Sequence, residues 1–347
     1  MSHLLTFAEV QAKTSNAHLL LGNGFSIAYD KNRFSFTNLL DSAISSGIIV
    51  KDSNIHRLFQ RLRTSDFETV MRLLDDSELV VDIYSGDNDL QEVIRGDSAN
   101  LKEFLVKVLT NNHPEKSTSV PDDMKNSCVE FLKPFKSIYT LNYDLLLYWA
   151  TMSDSTSYFT DGFANTEESE DEGYVVFKNE GGNSFRVHYL HGALHIFDRE
   201  FEIVKKTYNN TDISLIEQIR GSLNDRIYPV FISEGSSEEK EAKIIHNAYL
   251  NHCNKSLRKI NGDLVIYGAS LKENDTHIVE SIVRNPKLKN LYFGVSDPDR
   301  GAELGARVEQ YNSEVNEGKR KELFLFDYRT VDVWHYPVPI QEGEGKI

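Results

Sequence analysis

The first apolar run of the chain leads into a short polar segment whose residue types could bind a phosphate. That segment contains Gly22, Asn23, Gly24 and Ser26. The unbroken apolar run at 19–21 is typical of a strand buried on both faces of a parallel sheet. Glycines after it permit a tight turn and a close approach of backbone to a ligand, and N–H groups at a helix start favour phosphate. Because Ile27 stands where a third glycine would complete a dinucleotide-binding motif, an ordinary strand-to-helix turn remains the alternative.

Four later segments with strand-like patterns end in polar residues of the same kinds. These ends are Thr140, Asn142 and Asp144; His191 and Gly192; Ser233 to Ser237; and Gly268 and Ser270. Ligands of open α/β sheets bind beyond the carboxyl ends of the strands, so we expect these ends to surround one site. Turn formation explains any single end, but five such ends in one chain favour a shared function.

Three of these residues could orient a substrate or move a proton. Asn142 can both donate and accept hydrogen bonds, which suits ribose hydroxyl groups and water. His191 titrates near neutrality and could act as a general base. The Asp144 carboxylate could accept a hydrogen bond from a ligand amide, although capping of the following helix is a serious alternative.

A metal site is a further hypothesis for the histidines of this region. His188, His191 and His195 have a spacing that would group them on one helix face, where neutral imidazoles could bind zinc. However, the surrounding sequence has the pattern of a strand, and Gly192 would break a helix. We therefore expect no metal here, and a purely structural histidine is the alternative for His191.

The elements that must position these residues alternate between strand and helix. This alternation is clearest in the last hundred residues and favours a doubly wound α/β domain. We expect one domain over 1–347, with a parallel sheet, helices on both of its faces, a helical insertion at 34–120, and a loop and small β insertion at 153–190. Residues 198–226 have helical periodicity, and a single charged helix is expected from 237 to about 257.

Composition narrows the class of protein. The 347 residues carry a net charge of −15, which disfavours non-specific binding to nucleic acid or to an anionic membrane. No apolar run approaches the roughly 20 residues that span a bilayer, and the first residues lack the pattern of a signal peptide. Two cysteines are too few for a disulfide framework, so a reducing, cytoplasmic location is expected.

The ordered set of motifs resembles the sirtuin family. Residues 22–26 (Gly-Asn-Gly-Phe-Ser) resemble the sirtuin glycine motif, and residues 140–144 (Thr-Leu-Asn-Tyr-Asp) resemble Thr-Gln-Asn-Ile-Asp. Residues 190–192 match Leu-His-Gly, and residues 268–271 (Gly-Ala-Ser-Leu) resemble Gly-Thr-Ser-Leu. The resemblance is strongest to divergent bacterial sirtuin-like proteins. These include a family left as a domain of unknown function and NAD⁺-degrading effectors of antiphage defence, such as the NADase subunit of the Kongming system.

The resemblance implies a Rossmann-like, sirtuin-like sheet with NAD⁺ as its ligand. In the family, the catalytic histidine corresponds to His191, which would be the general base. Asn142 would hold the nicotinamide ribose or the attacking water, and Asp144 would bind the nicotinamide carboxamide. The remaining residues implied in binding NAD⁺, through its phosphates or its adenosine ribose, are Gly22, Asn23, Gly24, Ser26, Gly268 and Ser270.

One departure from the family changes the expected reaction. Sirtuin deacetylases carry a zinc module of four cysteines beside the acyl-lysine cleft, and two cysteines cannot build it. We therefore expect hydrolysis of NAD⁺ to nicotinamide and ADP-ribose, as in antiphage defence by abortive infection. Such an enzyme would be held inactive in a homo-oligomer or in a complex with an operon-encoded regulatory subunit. The alternatives are a non-catalytic NAD⁺ or ADP-ribose sensor, and a protein deacylase or ADP-ribosyltransferase.

Overall fold

The computed structural model describes residues 4–154, 156, 158–166, 173–178, 185–199, 202–207, 213–225, 227–232, 237–272 and 275–335, apart from the side chains at 36, 37, 68 and 239. The strands are β1 (His18–Leu21), β2 (Ile138–Thr140), β3 (Phe163–Ala164), β4 (Tyr174–Phe177), β5 (Val187–Tyr189), β6 (Gly192–Arg199), β7 (Glu202–Lys206), β8 (Pro229–Phe231), β9 (Gly262–Tyr267), β10 (Leu288–Val295) and β11 (Glu322–Asp327). The helices are α1 (Phe7–Lys13), α2 (Gly24–Tyr29), α3 (Lys31–Phe34), α4 (Phe36–Ser45), α5 (Asn54–Leu62), α6 (Phe67–Tyr84), α7 (Asn88–Asn112), α8 (Asp122–Leu132), α9 (Leu146–Met152), α10 (Leu215–Asn224), α11 (Ser237–His246), α12 (Ala248–Leu257), α13 (Thr276–Val283) and α14 (Ala302–Glu314).

The central sheet has six strands in the order β11-β10-β9-β1-β2-β5, and every neighbouring pair is parallel. Numbered by their appearance in the chain, these strands lie in the order 3-2-1-4-5-6, which is that of the Rossmann fold. The predicted α/β class with a Rossmann-like parallel sheet is confirmed. All four residues of β1 are buried, as its unbroken apolar run predicts.

Helices cover both faces of this sheet. Tyr139 and Thr140 are consecutive on β2, so their side chains point to opposite faces. The Tyr139 hydroxyl hydrogen-bonds to Ser256 of α12 at 2.8 Å. Thr140 shares the other face with Tyr267 of β9, whose ring lies 6.0 Å from that of Phe131 on α8. This two-sided cover explains why the strands carry apolar residues without alternation.

Helices also fill the long connection from β1 to β2. The segment expected as a helical insertion, 34–120, contains α4 to α7. The longest of them, α6 and α7, form an antiparallel hairpin in which Ser98 donates to Asp75 at 2.7 Å and Gln91 donates to Asp82 at 2.8 Å. Its inner end joins the core through buried apolar residues such as Met71.

A second sheet has the order β3-β4-β7-β6-β8, with antiparallel pairing throughout. It extends well beyond residue 190, because β6, β7 and β8 belong to it. The prediction of helical periodicity over 198–226 is wrong for 202–206, which form β7, and agrees with the structure at α10. Residues 202–206 become a strand because β4 and β6 pair with them on both sides, and this long-range pairing overrides the local pattern.

The single charged helix expected from 237 to about 257 is also corrected, because it is two helices. The backbone of Asn247 is extended, which ends α11, and its side chain accepts a hydrogen bond from the Leu250 N–H at 3.1 Å to cap α12. A capping asparagine inside a charged, apolar-periodic run is therefore the signal for this break.

The turns after β1 and β9 touch each other through their backbones. The Gly24 N–H donates to the Gly268 carbonyl at 2.8 Å, and the Gly22 N–H donates to the Tyr267 carbonyl at 2.9 Å. A Cβ atom on Gly24 would lie 2.5 Å from the Gly268 Cα, closer than real Cβ contacts. Gly268 itself has a φ of +69°, in the left-handed region that glycine favours. Glycine is required at both positions for this contact.

We expect the substitution Gly24→Ala to lower the free energy of unfolding by about 1–3 kcal/mol, because the two turns must separate to admit a methyl group. The matched control is Gly221→Ala, at an exposed position inside α10 where a Cβ would meet no atom within 4 Å. That change should raise the free energy of unfolding by about 0.5–1 kcal/mol. Urea denaturation of both variants measures the difference. Equal effects of the two substitutions would contradict the close contact between the turns.

Candidate functional site

Three side chains from two strand ends meet in a buried hydrogen-bond network. Ser26, in α2 just after β1, donates its hydroxyl hydrogen to Asp144 Oδ2. Asn142, just after β2, donates from Nδ2 to the Ser26 Oγ at 2.9 Å. All three residues are buried. The structure therefore brings together three of the residues predicted to form one site at the carboxyl edge of the sheet.

The Asp144 carboxylate has two hydrogen-bond donors in the described structure. One is the Ser26 hydroxyl, and the other is the Leu146 N–H, which reaches Asp144 Oδ1 at 2.8 Å at the start of α9. Burial raises the pKa of Asp144, and these two hydrogen bonds oppose that shift. Capping of the following helix, the alternative role for Asp144, thus accounts for Oδ1. The other oxygen, Oδ2, binds the Ser26 hydroxyl.

The backbone at His191 runs alongside the segment that contains Asn142, where the chain leaves the parallel sheet and enters the second sheet. Backbone hydrogen bonds fix the path of the chain before and after His191. The Leu190 N–H donates to the Thr140 carbonyl at 2.9 Å, and the Leu194 N–H donates to the Tyr143 carbonyl at 2.8 Å. Gly192 makes the passage possible. Its φ is +79°, and a Cβ there would lie 2.0 Å from the Val230 carbonyl oxygen on β8.

The ring of His191 faces a second histidine that sequence reasoning did not identify. His191 Nε2 lies 3.0 Å from Nε2 of His277, in the first turn of α13, and the two rings are stacked with centroids 5.2 Å apart. Because the two Nε2 atoms are in hydrogen-bond contact, one ring donates and the other accepts. Ser237 extends this chain, since its Oγ lies 3.3 Å from His277 Nδ1 and accepts from the His277 N–H at 2.7 Å.

Burial and nearby positive charge keep this histidine pair neutral. Burial, then His277 and then Lys240, hold the pKa of His191 well below its usual range. Burial and the charge of Lys240 lower the pKa of His277 to about 3. Lys240, on α11, is fully buried, and it also opposes the upward shift that burial gives the pKa of Asp275. The imidazole of His191 is therefore in the form that can accept a proton.

The glycine motif is close to this network, but most of its N–H groups already donate to backbone carbonyl oxygens. The N–H groups of Gly22 and Gly24 donate to the turn after β9, and the N–H groups of residues 25–27 donate to carbonyl oxygens at 22 and 23. The side chain of Asn23 donates to the Phe34 carbonyl at 3.1 Å. Backbone packing thus accounts for the glycines of this turn, and their contact with a phosphate remains a prediction.

The other predicted residues are placed as follows. Gly268 lies against Gly24, whereas Ser270 is exposed two residues further along. Both therefore lie on the β9 side of the same edge, and their contact with NAD⁺ stays a prediction. Of the strand end at 233–237, only Ser237 belongs to the described residues, and Ser233 to Ser236 lie outside them.

The three histidines considered for a metal lie in different surroundings. The His188 ring stacks on Tyr139, with centroids 4.5 Å apart, and the His195 ring lies 4.5 Å from that of Tyr148. His191 faces His277 instead. Within the described residues, no group of three or more His, Cys, Asp or Glu side chains could hold a metal ion.

Sequence reasoning missed His277, Lys240 and the role of Ser237. His277 is separated from His191 by 86 residues, so no local pattern pairs them. One signal was available, because His277 follows β9 as the other site residues follow their strands. Lys240 lies in a run of charged residues, where exposure is the usual expectation and burial is the exception.

Comparisons with known proteins identify a family and include a weak likeness to a solved structure. No described helix combines the length and apolar character that a membrane crossing needs. One solved chain, described as giving the structural basis for the mechanism and regulation of Sir2 enzymes, is 12% identical, with a TM-score of 0.30, over 88% of this chain and 97% of that chain. An identity and a TM-score this low support no conclusion about this chain. The assignment of the fold rests on the strand order of the parallel sheet. Comparison with curated proteins gives no match. A family model matches residues 19–334, most of the chain, which therefore belongs to the family described as a domain of unknown function, DUF4917.

Proposed function

We propose that this protein hydrolyses NAD⁺ to nicotinamide and ADP-ribose at the carboxyl edge of its parallel sheet. The observation that carries the proposal is the buried network of Ser26, Asn142 and Asp144, with His191 on the neighbouring segment. Hydroxyl, amide, carboxylate and imidazole groups from successive strand ends are the groups that a ribose, a carboxamide and a water molecule need. The Rossmann order of the strands supports a dinucleotide at this edge.

Each group has a defined part in the proposed reaction. The bond between C1′ of the ribose and the nicotinamide nitrogen breaks, and its electron pair stays with the neutral nicotinamide. A water oxygen forms the new bond to C1′, and the water proton passes to His191 before it reaches solvent. Asn142 holds the water or the ribose hydroxyls, and Asp144 accepts from the carboxamide. Positioning of these groups supplies more of the rate than any one group does.

The buried state of these side chains supports an enzyme that needs activation. Ser26, Asn142, Asp144 and His191 are all buried, and their polar groups contact one another or His277. NAD⁺ must replace some of these contacts before it can bind. The same observation favours a second candidate, a sensor that binds NAD⁺ or ADP-ribose without cleaving it.

We expect His191→Ala and Asn142→Ala each to reduce nicotinamide release by at least 100-fold, because one removes the base and the other frees the water and the ribose. The matched control is His246→Ala, an exposed histidine on α11, which should keep full turnover. Chromatography of nicotinamide and ADP-ribose measures the rates, with the protein alone and co-expressed with the products of neighbouring genes. Melting temperatures show whether the variants fold. Full turnover in both site variants would exclude this site, and NAD⁺ binding without any release would favour the sensor.

The pH dependence of the reaction is a second test of His191. Its pKa lies well below 6.5, so the base form persists as the pH falls through 6.5, and the rate should decline only at lower pH. In Lys240→Gln the positive charge of Lys240 near His191 is gone, so the pKa of His191 should rise and the acid limb should move to higher pH. The limb of His246→Ala should stay in place. An acid limb at 6.5 that is identical in the protein and in Lys240→Gln would contradict this assignment.

We also propose that the free enzyme self-associates. We further propose that it acts in antiphage defence, a role that rests on the sequence resemblance. The outer end of the α6–α7 hairpin is the proposed docking site for a second copy, because large apolar side chains are exposed there. The exposed fractions are 68% for Ile83 and 85% for Tyr84. The other members of this hairpin-tip patch are Leu79, Val80, Leu90 and Val93. Large apolar side chains that are exposed near one another are typical of protein–protein contacts.

We expect the double variant Ile83→Glu/Tyr84→Glu to be monomeric where the unchanged protein is an oligomer, because two charges cannot be buried without partners. Ile245→Glu, at a half-exposed apolar residue of α11, is the matched control and should leave the oligomer intact. Light scattering after gel filtration measures the mass. A monomeric unchanged protein, or an oligomer that survives the double substitution, would contradict docking of a second copy at this patch.

A further inference from the structure

A cavity of about 590 Å³ lies at the opposite edge of the parallel sheet from His191. Its walls include His18, the first residue of β1, and Lys136 and Ser137, which precede β2. The turn that follows α12 closes it with Asn261, which precedes β9. It therefore opens at the amino ends of the strands. Its volume is within the range of small-molecule sites.

The charge of this cavity contrasts with that of the whole chain. Lys136, Lys255 and Lys259 are among its lining residues and are exposed, whereas none of the described residues that line it is an Asp or a Glu. None of the three lysines forms an ion pair with a described carboxylate. In a chain with a net charge of −15, this is a local concentration of positive charge that no carboxylate among the described lining residues balances.

Buried imidazole groups with unused hydrogen-bonding atoms line the same cavity. His18 is 3% exposed, and neither of its ring nitrogens makes a hydrogen bond of normal geometry to a described residue. Burial lowers the pKa of His18 to about 4, and a weaker interaction with Asn261 opposes this shift. His188 is 2% exposed, and its Nδ1 also lacks a described partner. A buried polar atom without a partner costs free energy, so a native structure that retains several of them needs an explanation. In a neutral imidazole one ring nitrogen donates and the other accepts, so a ligand that reaches these atoms needs both an acceptor and a donor.

Aromatic rings form the rest of the wall. The His188 ring is stacked on Tyr139, with centroids 4.5 Å apart and an interplanar angle of 21°. The Phe185 ring lies 4.7 Å from that of His252. Cations beside flat rings suit a ligand that has both a negative group and a planar group.

Two simpler explanations cover only part of these observations. Lys255 and Lys259 lie near the C-terminal end of α12, where positive charge complements the helix dipole. That does not account for Lys136, which belongs to another element, or for the unpartnered nitrogens of His18. A metal ion does not account for them either, because no described group of three or more ligating side chains could hold one.

We propose that this cavity binds a mononucleotide, with the phosphate at the three lysines and the base against the aromatic wall. The phosphate oxygens accept from the lysine ammonium groups, as is usual for phosphate sites. The buried imidazoles at positions 18 and 188 supply further polar contacts to the ligand. This site is separate from the site of the proposed NAD⁺ hydrolysis, and it does not depend on that proposal.

The probe is AMP, compared with adenosine and with inorganic phosphate by titration calorimetry at low salt. We expect AMP to bind, and the triple variant Lys136→Gln/Lys255→Gln/Lys259→Gln to bind it at least tenfold more weakly. The matched control, Lys51→Gln/Lys319→Gln, removes two exposed lysines outside the cavity and should leave the affinity unchanged. Adenosine should bind more weakly than AMP because it lacks the phosphate, and phosphate should bind more weakly because it lacks the base.

Two further measurements locate the bound AMP. Imidazole nitrogen NMR signals of His18 and His188 should shift on addition of AMP, and those of His191 and His277 at the other edge of the sheet should not. The proposal is wrong if millimolar AMP gives neither heat nor an imidazole shift. It is also wrong if the triple lysine variant binds AMP with unchanged affinity. Shifts at His191 and His277, with none at His18 and His188, would place AMP at the other edge of the sheet, and that would overturn it as well.

Discussion

Burial of the Asp144 carboxylate is the constraint on which the carboxyl edge of the sheet depends. A carboxylate removed from water is costly unless donors surround it, and burial accordingly raises the pKa of this group. The Ser26 hydroxyl and the Leu146 N–H are its described donors, and Asn142 in turn donates to Ser26. These bonds join the helix after β1 to the turn after β2. The residues suited to bind a ligand are therefore also the residues that hold two strand ends together.

Positions of the site that follow from one stretch of chain are predictable from sequence, whereas contacts between distant stretches are not. The apolar run before Gly22 predicts a buried strand, and the parallel sheet places the ends of β1 and β2 at one edge, as the structure has them. The pairing of His191 with His277 joins residues 86 positions apart and has no local pattern. The prediction for β7 is wrong for the same reason. This segment is a strand because β4 and β6 pair with it, and its own periodicity does not indicate that.

Exposed lysines line the cavity at the amino edge of the sheet, the buried polar network lies at the carboxyl edge, and β1 connects the two. His18 begins the strand at the lysine-lined cavity, and Gly22 follows it at the edge that carries Ser26. Four residues of extended strand separate them by about 13 Å. The sequence directs attention to the carboxyl edge because turns with glycine and polar residues stand out there. The amino edge has no such motif, since its histidines and lysines come from four separate elements and converge only in the fold.

The passage of the chain through His191 gives the second sheet a part in the site. The His191 carbonyl accepts from the Ile232 N–H at 2.8 Å, directly after β8, and Gly192 lies against Val230 of that strand. A few residues later, Ser237 contacts both the N–H and the ring of His277. The chain on either side of 233–236 therefore holds the backbone of one histidine and the ring of the other. The ring that occupies His191 Nε2 is therefore held in turn by Ser237, at the start of α11.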